Sequence, residues 1–174
     1  MGTKRVGWAR IKSLINENQN QLAAMQTRIG AITETASLSA ANSGTTYMIN
    51  SNAAAIVLSL PAMAAGQNFR FVIGNELTSL NTLTITIQSN GGALAGGEMV
   101  GSCHTVIAGN TIVMPAATTA KKGDNHYQLV IDSGATGNKL FAGSTVELWC
   151  DGTYWYVSGV LSSDATTTEG NFAG

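Results

Sequence analysis

Charge is scarce in this chain. Only 11% of its residues are Asp, Glu, Lys or Arg, against about 25% in an average soluble domain. So sparse a set of titratable groups leaves little material for acid–base chemistry, and no close carboxylate pair stands out for glycoside hydrolysis. Proline is nearly absent and aromatics make up 6%. There are two histidines, His104 and His126, and two cysteines, Cys103 and Cys150. Four groups at those spacings match no zinc motif. The adjacent pair Cys103–His104 would sit on opposite faces of a strand, so it cannot act as a thiol–imidazole dyad. Without an export leader the two cysteines read as reduced, buried small hydrophobes, with a Cys103–Cys150 disulfide as the alternative. The glycines at 91, 92, 96, 97 and 101 lack the Lys-Ser/Thr of a phosphate-binding loop. No run approaches the ~18 apolar residues of a membrane-spanning helix. The opening MGTKRVGWARIKSL has basic residues but no apolar core of an export leader. These absences point away from an enzyme, a cofactor, a bound metal and a membrane.

Apolar residues are plentiful, at 44% of the 174, and there are 20 glycines. Such a chain can build a core and is too patterned for disorder. Net charge is −1 overall but unevenly placed. Residues 1–30 hold five basic side chains and one carboxylate, whereas residues 31–174 hold four basic and nine acidic groups. The basic group Lys4, Arg5, Arg10 and Lys12 suits docking on an acidic protein patch. It is too small for nucleic-acid binding, having Trp8 as its only aromatic neighbour.

Residues 8–32 lack proline and follow a heptad. With Trp8 at position a, the a positions are Trp8, Ile15, Leu22 and Ile29. The d positions are Ile11, Asn18, Met25 and Ile32. Only Asn18 is polar, and one buried Asn in a seam sets register and oligomer state. The spacing predicts a helix over residues 1–32 that self-associates through those eight residues, with Gly30 at its end. The alternative is an amphipathic helix lying on its own domain.

After residue 32 the period changes to two. Short strands are expected near residues 37–38, 45–50, 55–60, 68–73, 82–88, 98–100, 105–108, 111–114, 127–132, 145–150 and 154–159. In residues 82–87, Leu83, Ile85 and Ile87 would face one side. Turn signals separate these runs, and Asp151-Gly152 is the strongest, read as a type I′ hairpin. The predicted fold is mainly β. An N-terminal helix precedes an antiparallel β-sandwich or jelly-roll-like domain over residues 33–161, with a polar tail over 162–174.

Three stretches together resemble a known group. They are KRVGWARIKSLINENQNQL (residues 4–22), AANSGTTYMINSNAAAIVLSLPAMAAGQNFRFVIGN (40–75) and GSTVELWCDGTYWYVSG (143–159). Leu60-Pro61 and the run Asp151-Gly152-Thr153-Tyr154-Trp155 carry most of the likeness. The chain resembles small virion structural proteins of tailed phages, of the capsid-decoration or head-fibre type, notably those of marine cyanobacteria. The resemblance implies a homotrimer, made in the host cytoplasm and placed on the outer capsid surface. There it would bind the major capsid protein and stabilise the head, with Lys4, Arg5, Arg10 and Lys12 docking on the shell. The other role it implies is a head- or tail-fibre module that stacks a host glycan on exposed members of the aromatic set Trp149–Tyr156.

Overall fold

The computed structural model describes residues 7–25, 28–50, 55–75, 77–78, 84–89, 97–107, 111–113, 119–120, 123–132, 139–164 and 170–173. For residues 20–25, 77–78, 84–85, 107, 111–113, 119, 132, 139 and 170–171 it describes the backbone alone. One helix, α1 (Trp8–Met25), precedes strands that form two mixed sheets packed as a sandwich.

The strands are β1 (Arg28–Ile32), β2 (Ala36–Ser37), β3 (Thr45–Ile49), β4 (Ile56–Leu60), β5 (Asn68–Ile73), β6 (Leu77–Thr78), β7 (Thr84–Ser89), β8 (Glu98–Ile107), β9 (Thr111–Val113), β10 (Thr119–Ala120), β11 (Gln128–Asp132), β12 (Lys139–Leu140), β13 (Thr145–Cys150), β14 (Tyr154–Ser163) and β15 (Gly170–Ala173). Alternation is clean wherever both faces are described. In β3 and β4 every second residue is buried, and in β13 the buried set is Val146, Leu148 and Cys150. These inward residues form one core with Phe69, Phe71, Ile87, Leu129, Ile131 and Trp155. Burying a large apolar side chain of this kind contributes roughly 1.5–3 kcal/mol each.

The first half of the chain corrects the antiparallel and jelly-roll expectation. It winds as a coil, crossing from one sheet to the other after almost every strand. In the first sheet β1, β3 and β5 are successive parallel neighbours. In the second, β2, β4 and β7 are too. A jelly roll needs antiparallel neighbours throughout. Here each strand returns one rung over, so like-directed strands pair. The antiparallel part comes later. β13 pairs with β5 and β14, and β11 lies between β7 and β15. β8 runs parallel to β14 along ten residue pairs, Tyr154↔Glu98 through Ser163↔Ile107. It is therefore one long strand, where two short ones were predicted.

The N-terminal boundary also moves. The helix ends at Met25, and Arg28–Ile32 is strand β1. Ile29 and Ile32 share a face of a helix but lie on opposite faces of a strand. Ile29 is 74% exposed and Ile32 5%. Neither belongs to a helical seam. Gly30 does not end the helix either. It pairs with Tyr47, whose ring lies over it, and a Cβ at Gly30 would sit 2.7 Å from Tyr47 Cε1. A strand glycine often marks such close approach. The same inward row continues through Phe71 and Val146 to Gly159, where a Cβ would sit 2.7 Å from Cys103 Sγ. Tyr47 and Phe71 stack in this row with centroids 5.9 Å apart.

The polar tail is not wholly loose. β14 runs to Ser163, and β15 pairs with β11 and buries Phe172. The hairpin at Asp151-Gly152 is real but its turn differs. Cys150 pairs with Trp155, and inside that pair the Asp151 N–H donates to the Tyr154 carbonyl at 3.3 Å, which leaves Gly152 and Thr153 at the tip. Only Gly152 has positive φ, at 96°. A type I′ turn needs positive φ at both loop positions, and Gly at the first alone is the mark of type II′.

Candidate functional site

The N-terminal helix and the outer face of the first sheet are the two surfaces with unexplained side chains. On α1, Trp8, Ile11 and Ile15 of the predicted seam are exposed, as are Asn18 and the basic residues Arg10 and Lys12. Leu14, which the a/d reading passed over, is exposed beside them. It occupies position g and broadens the stripe on one side. Among the described residues the helix makes no extended contact with any strand. An amphipathic helix resting on its own domain would hide this stripe. The side chains of Leu22 and Met25, and all of Lys4 and Arg5, lie outside what is described.

The second surface is built by register. On the outer face, Asn68 of β5 pairs across to Trp149 of β13, which pairs across to Tyr156 of β14. One step along, Thr46, Arg70, Glu147 and Ser158 form the next row. Trp149 is 46% exposed, an unusual place for the largest side chain in the set. Its ring lies within 14° of parallel to Tyr156, with centroids 6.0 Å apart. Tyr154 tilts against Tyr156 at 6.4 Å. Trp155, between the two tyrosines, points inward and is fully buried against Phe69. The sequence named the whole aromatic run, and strand alternation divides it into two outward tyrosines and one inward tryptophan.

Asp151 fastens this patch. Its Oδ1 accepts the backbone N–H groups of Thr153 and Tyr154 at 2.7 and 2.8 Å. Its Oδ2 accepts the Tyr156 hydroxyl at 2.9 Å. That hydrogen bond, followed by some burial and the nearby negative charge, raises the Tyr156 phenol above its ordinary 10.0. Tyr156 thus stays a neutral donor at physiological pH, and its ring is pinned. Arg70 and Glu147 form an exposed ion pair at 3.2 Å. Between Trp149 and β3 lies a hollow of about 280 Å³, whose lining includes Gly44, Thr46, Asn68, Arg70, Glu147 and Trp149. Sequence reasoning missed Asn68 and Arg70, which reach Trp149 only across strands, and Glu147, which shares the outer face of β13 with Trp149 two residues away.

The groups considered for chemistry stay apart. Cys103 is fully buried and its neighbour His104 looks outward, as the alternation required. Burial pushes the Cys103 thiol up to about 12 and raises that of Cys150 as well. Both cysteines are free. His126 packs near Phe172, with centroids 6.3 Å apart. Among the described residues no three His, Cys, Asp or Glu side chains gather as a metal site. Among them, too, no helix is long and apolar enough to cross a membrane. Comparison with protein-family models, with curated proteins and with solved structures finds no match.

Proposed function

We propose that this chain is a non-enzymatic virion structural protein that assembles as a homotrimer and decorates the capsid, binding the major capsid protein and stabilising the head. The observation that carries the reading is the apolar stripe of α1. Trp8, Ile11, Leu14 and Ile15 are all exposed on a helix that no described strand packs against. Most helical stability in proteins comes from packing an apolar face. The stripe therefore calls for a partner outside the chain. A second and third copy of the same helix supply it. Isoleucine at both a and d, here Ile15 and Ile11, favours more than two strands, and Leu14 at g widens the face accordingly. The resemblance to phage decoration proteins supplies the rest: placement on the outer shell, with Arg10 and Lys12, exposed on the first turns, and Lys4 and Arg5 before them meeting acidic capsid surface.

Light scattering tests the assembly. The expected mass is three times the chain's 18.0 kDa, falling to the monomer when residues 1–27 are removed. A full-length monomer would sink the trimer. Particles carrying the protein should hold it in high copy number and lose heat tolerance without it. Unchanged heat tolerance would remove the decoration role.

A further inference from the structure

The outer aromatic patch has a composition that shell docking does not explain. We propose that the Trp149 face of the first sheet is a binding site for a neutral saccharide.

A pyranose ring presents C–H groups on its faces and hydroxyls around its edge. A receptor for it needs an aromatic surface for the one and planar polar side chains for the other. Trp149 and Tyr156 supply the aromatic part, near-parallel and held by the Tyr156–Asp151 hydrogen bond. Rigid aromatic side chains of this kind bury area at low entropic cost. Asn68, Arg70 and Glu147 line the hollow beside Trp149, within one or two register steps of it. They offer amide, guanidinium and carboxylate groups to hydroxyls. Recognition sites for small ligands combine apolar walls with a few placed polar groups in this way.

Charge and size select the occupant. Arg70 is neutralised by Glu147, and Asp151 adds negative charge nearby. Nothing in the patch favours an anionic sugar, so sialylated, sulfated or phosphorylated glycans are disfavoured. The hollow, at about 280 Å³, is near the small end of ligand pockets. A protein partner would need an interface of roughly 800 Å² on each side, whereas the hollow and its adjoining rings match one or two sugar units. The inference rests on this face alone and not on the helix or the shell.

The test is a panel of immobilised oligosaccharides probed with the full-length protein. Neutral glucose, galactose and N-acetylglucosamine oligomers are set beside sialylated and sulfated ones. The strongest neutral binder is then titrated by calorimetry. We expect binding to neutral members, with affinity falling at least tenfold in Trp149→Ala and measurably in Asn68→Ala. Both substitutions are at exposed positions and should leave molar mass unchanged, with melting temperature lowered by no more than a few degrees as the Trp149–Tyr156 stack is lost. No binding, binding to anionic members alone, or undiminished affinity in Trp149→Ala would overturn the site. A changed molar mass in Trp149→Ala would also overturn it, by making this face an interface between copies.

Discussion

Single residues carry two kinds of strain on this core: a proton that cannot leave and a hydroxyl without a mate. Cys103 is fully buried, and burial raises its thiol to about 12 from the ordinary 9.0. Below pH 9 the folded and unfolded chains both keep the proton. Above it the unfolded chain gives its proton up while the folded chain holds on. Stability therefore falls as pH rises toward 12, by up to about 1.4 kcal/mol per pH unit. Urea unfolding at pH 8 and pH 10.5 should show a steeper loss in the natural protein than in Cys103→Ala. Equal slopes would mean the thiol reaches solvent. Thr105 is buried on β8, and its hydroxyl finds no partner among the described residues. Thr105→Val keeps the shape and removes the unsatisfied group. It should be neutral or stabilising by about 1 kcal/mol, measured as the shift in urea midpoint. A clear destabilisation would reveal a hidden partner.

At the scale of elements, the helix and the strand that follows it have opposite dependence on the rest of the chain. Among the described residues α1 makes no extended contact with the sandwich, whereas β1 pairs along its whole length with β3 and places Ile32 in the core. Removing residues 1–27 should leave the melting temperature of the sandwich within a few degrees. Removing residues 1–32 takes away β1 and uncovers Tyr47, and should lower it by on the order of 10 °C, since each kcal/mol is worth roughly 2–4 °C at this size. Calorimetry of the two truncations decides it, and equal melting temperatures would mean β1 contributes little. Asn18 lies in the stripe as the one polar seam residue with a described side chain. Asn18→Leu should raise helix content by circular dichroism and change the molar mass, because buried Asn trades stability for a defined register. No change in either would count against a seam through this face.

At the scale of the whole molecule, the two surfaces proposed to bind partners lie on different elements. Two of the basic residues, Arg10 and Lys12, lie near the start of α1, while the aromatic patch lies on the sheet. Docking through one and ligand capture through the other would then be separable. Particles decorated with Trp149→Ala protein should keep the heat tolerance of natural particles. Particles carrying Arg10→Glu/Lys12→Glu protein should lose decoration, an effect read as copy number per particle and weakened further by salt. Full decoration by the double variant would place the shell contact elsewhere.

Much of the fold is legible in the residues because burial periodicity is local. The run of residues 68–73 alternates, so Phe69, Phe71 and Ile73 had to turn one way, and they are buried. Residues 145–150 follow the same rule. The presence of one N-terminal helix was legible too, from spacing alone, though not its bounds. Alternation states which face a side chain takes but not which strand lies beside it. The parallel coil of β1, β3 and β5, the capture of Gly170–Ala173 by β11, and the transfer of Ile29 and Ile32 from helix to strand were all settled by pairing between distant segments. The helical repeat continued through Ile32, but an unpaired edge on β3 and room in the core for Ile32 outweighed it. The outer patch has the same origin. Trp149 and the tyrosines are near in sequence, while Asn68 and Arg70 join them only because β5 pairs with β13. Within each strand, the sequence determined which residues share a face. The tertiary structure decided which exposed ones meet, because strand neighbours are chosen by long-range competition for edges and core volume that no local pattern encodes.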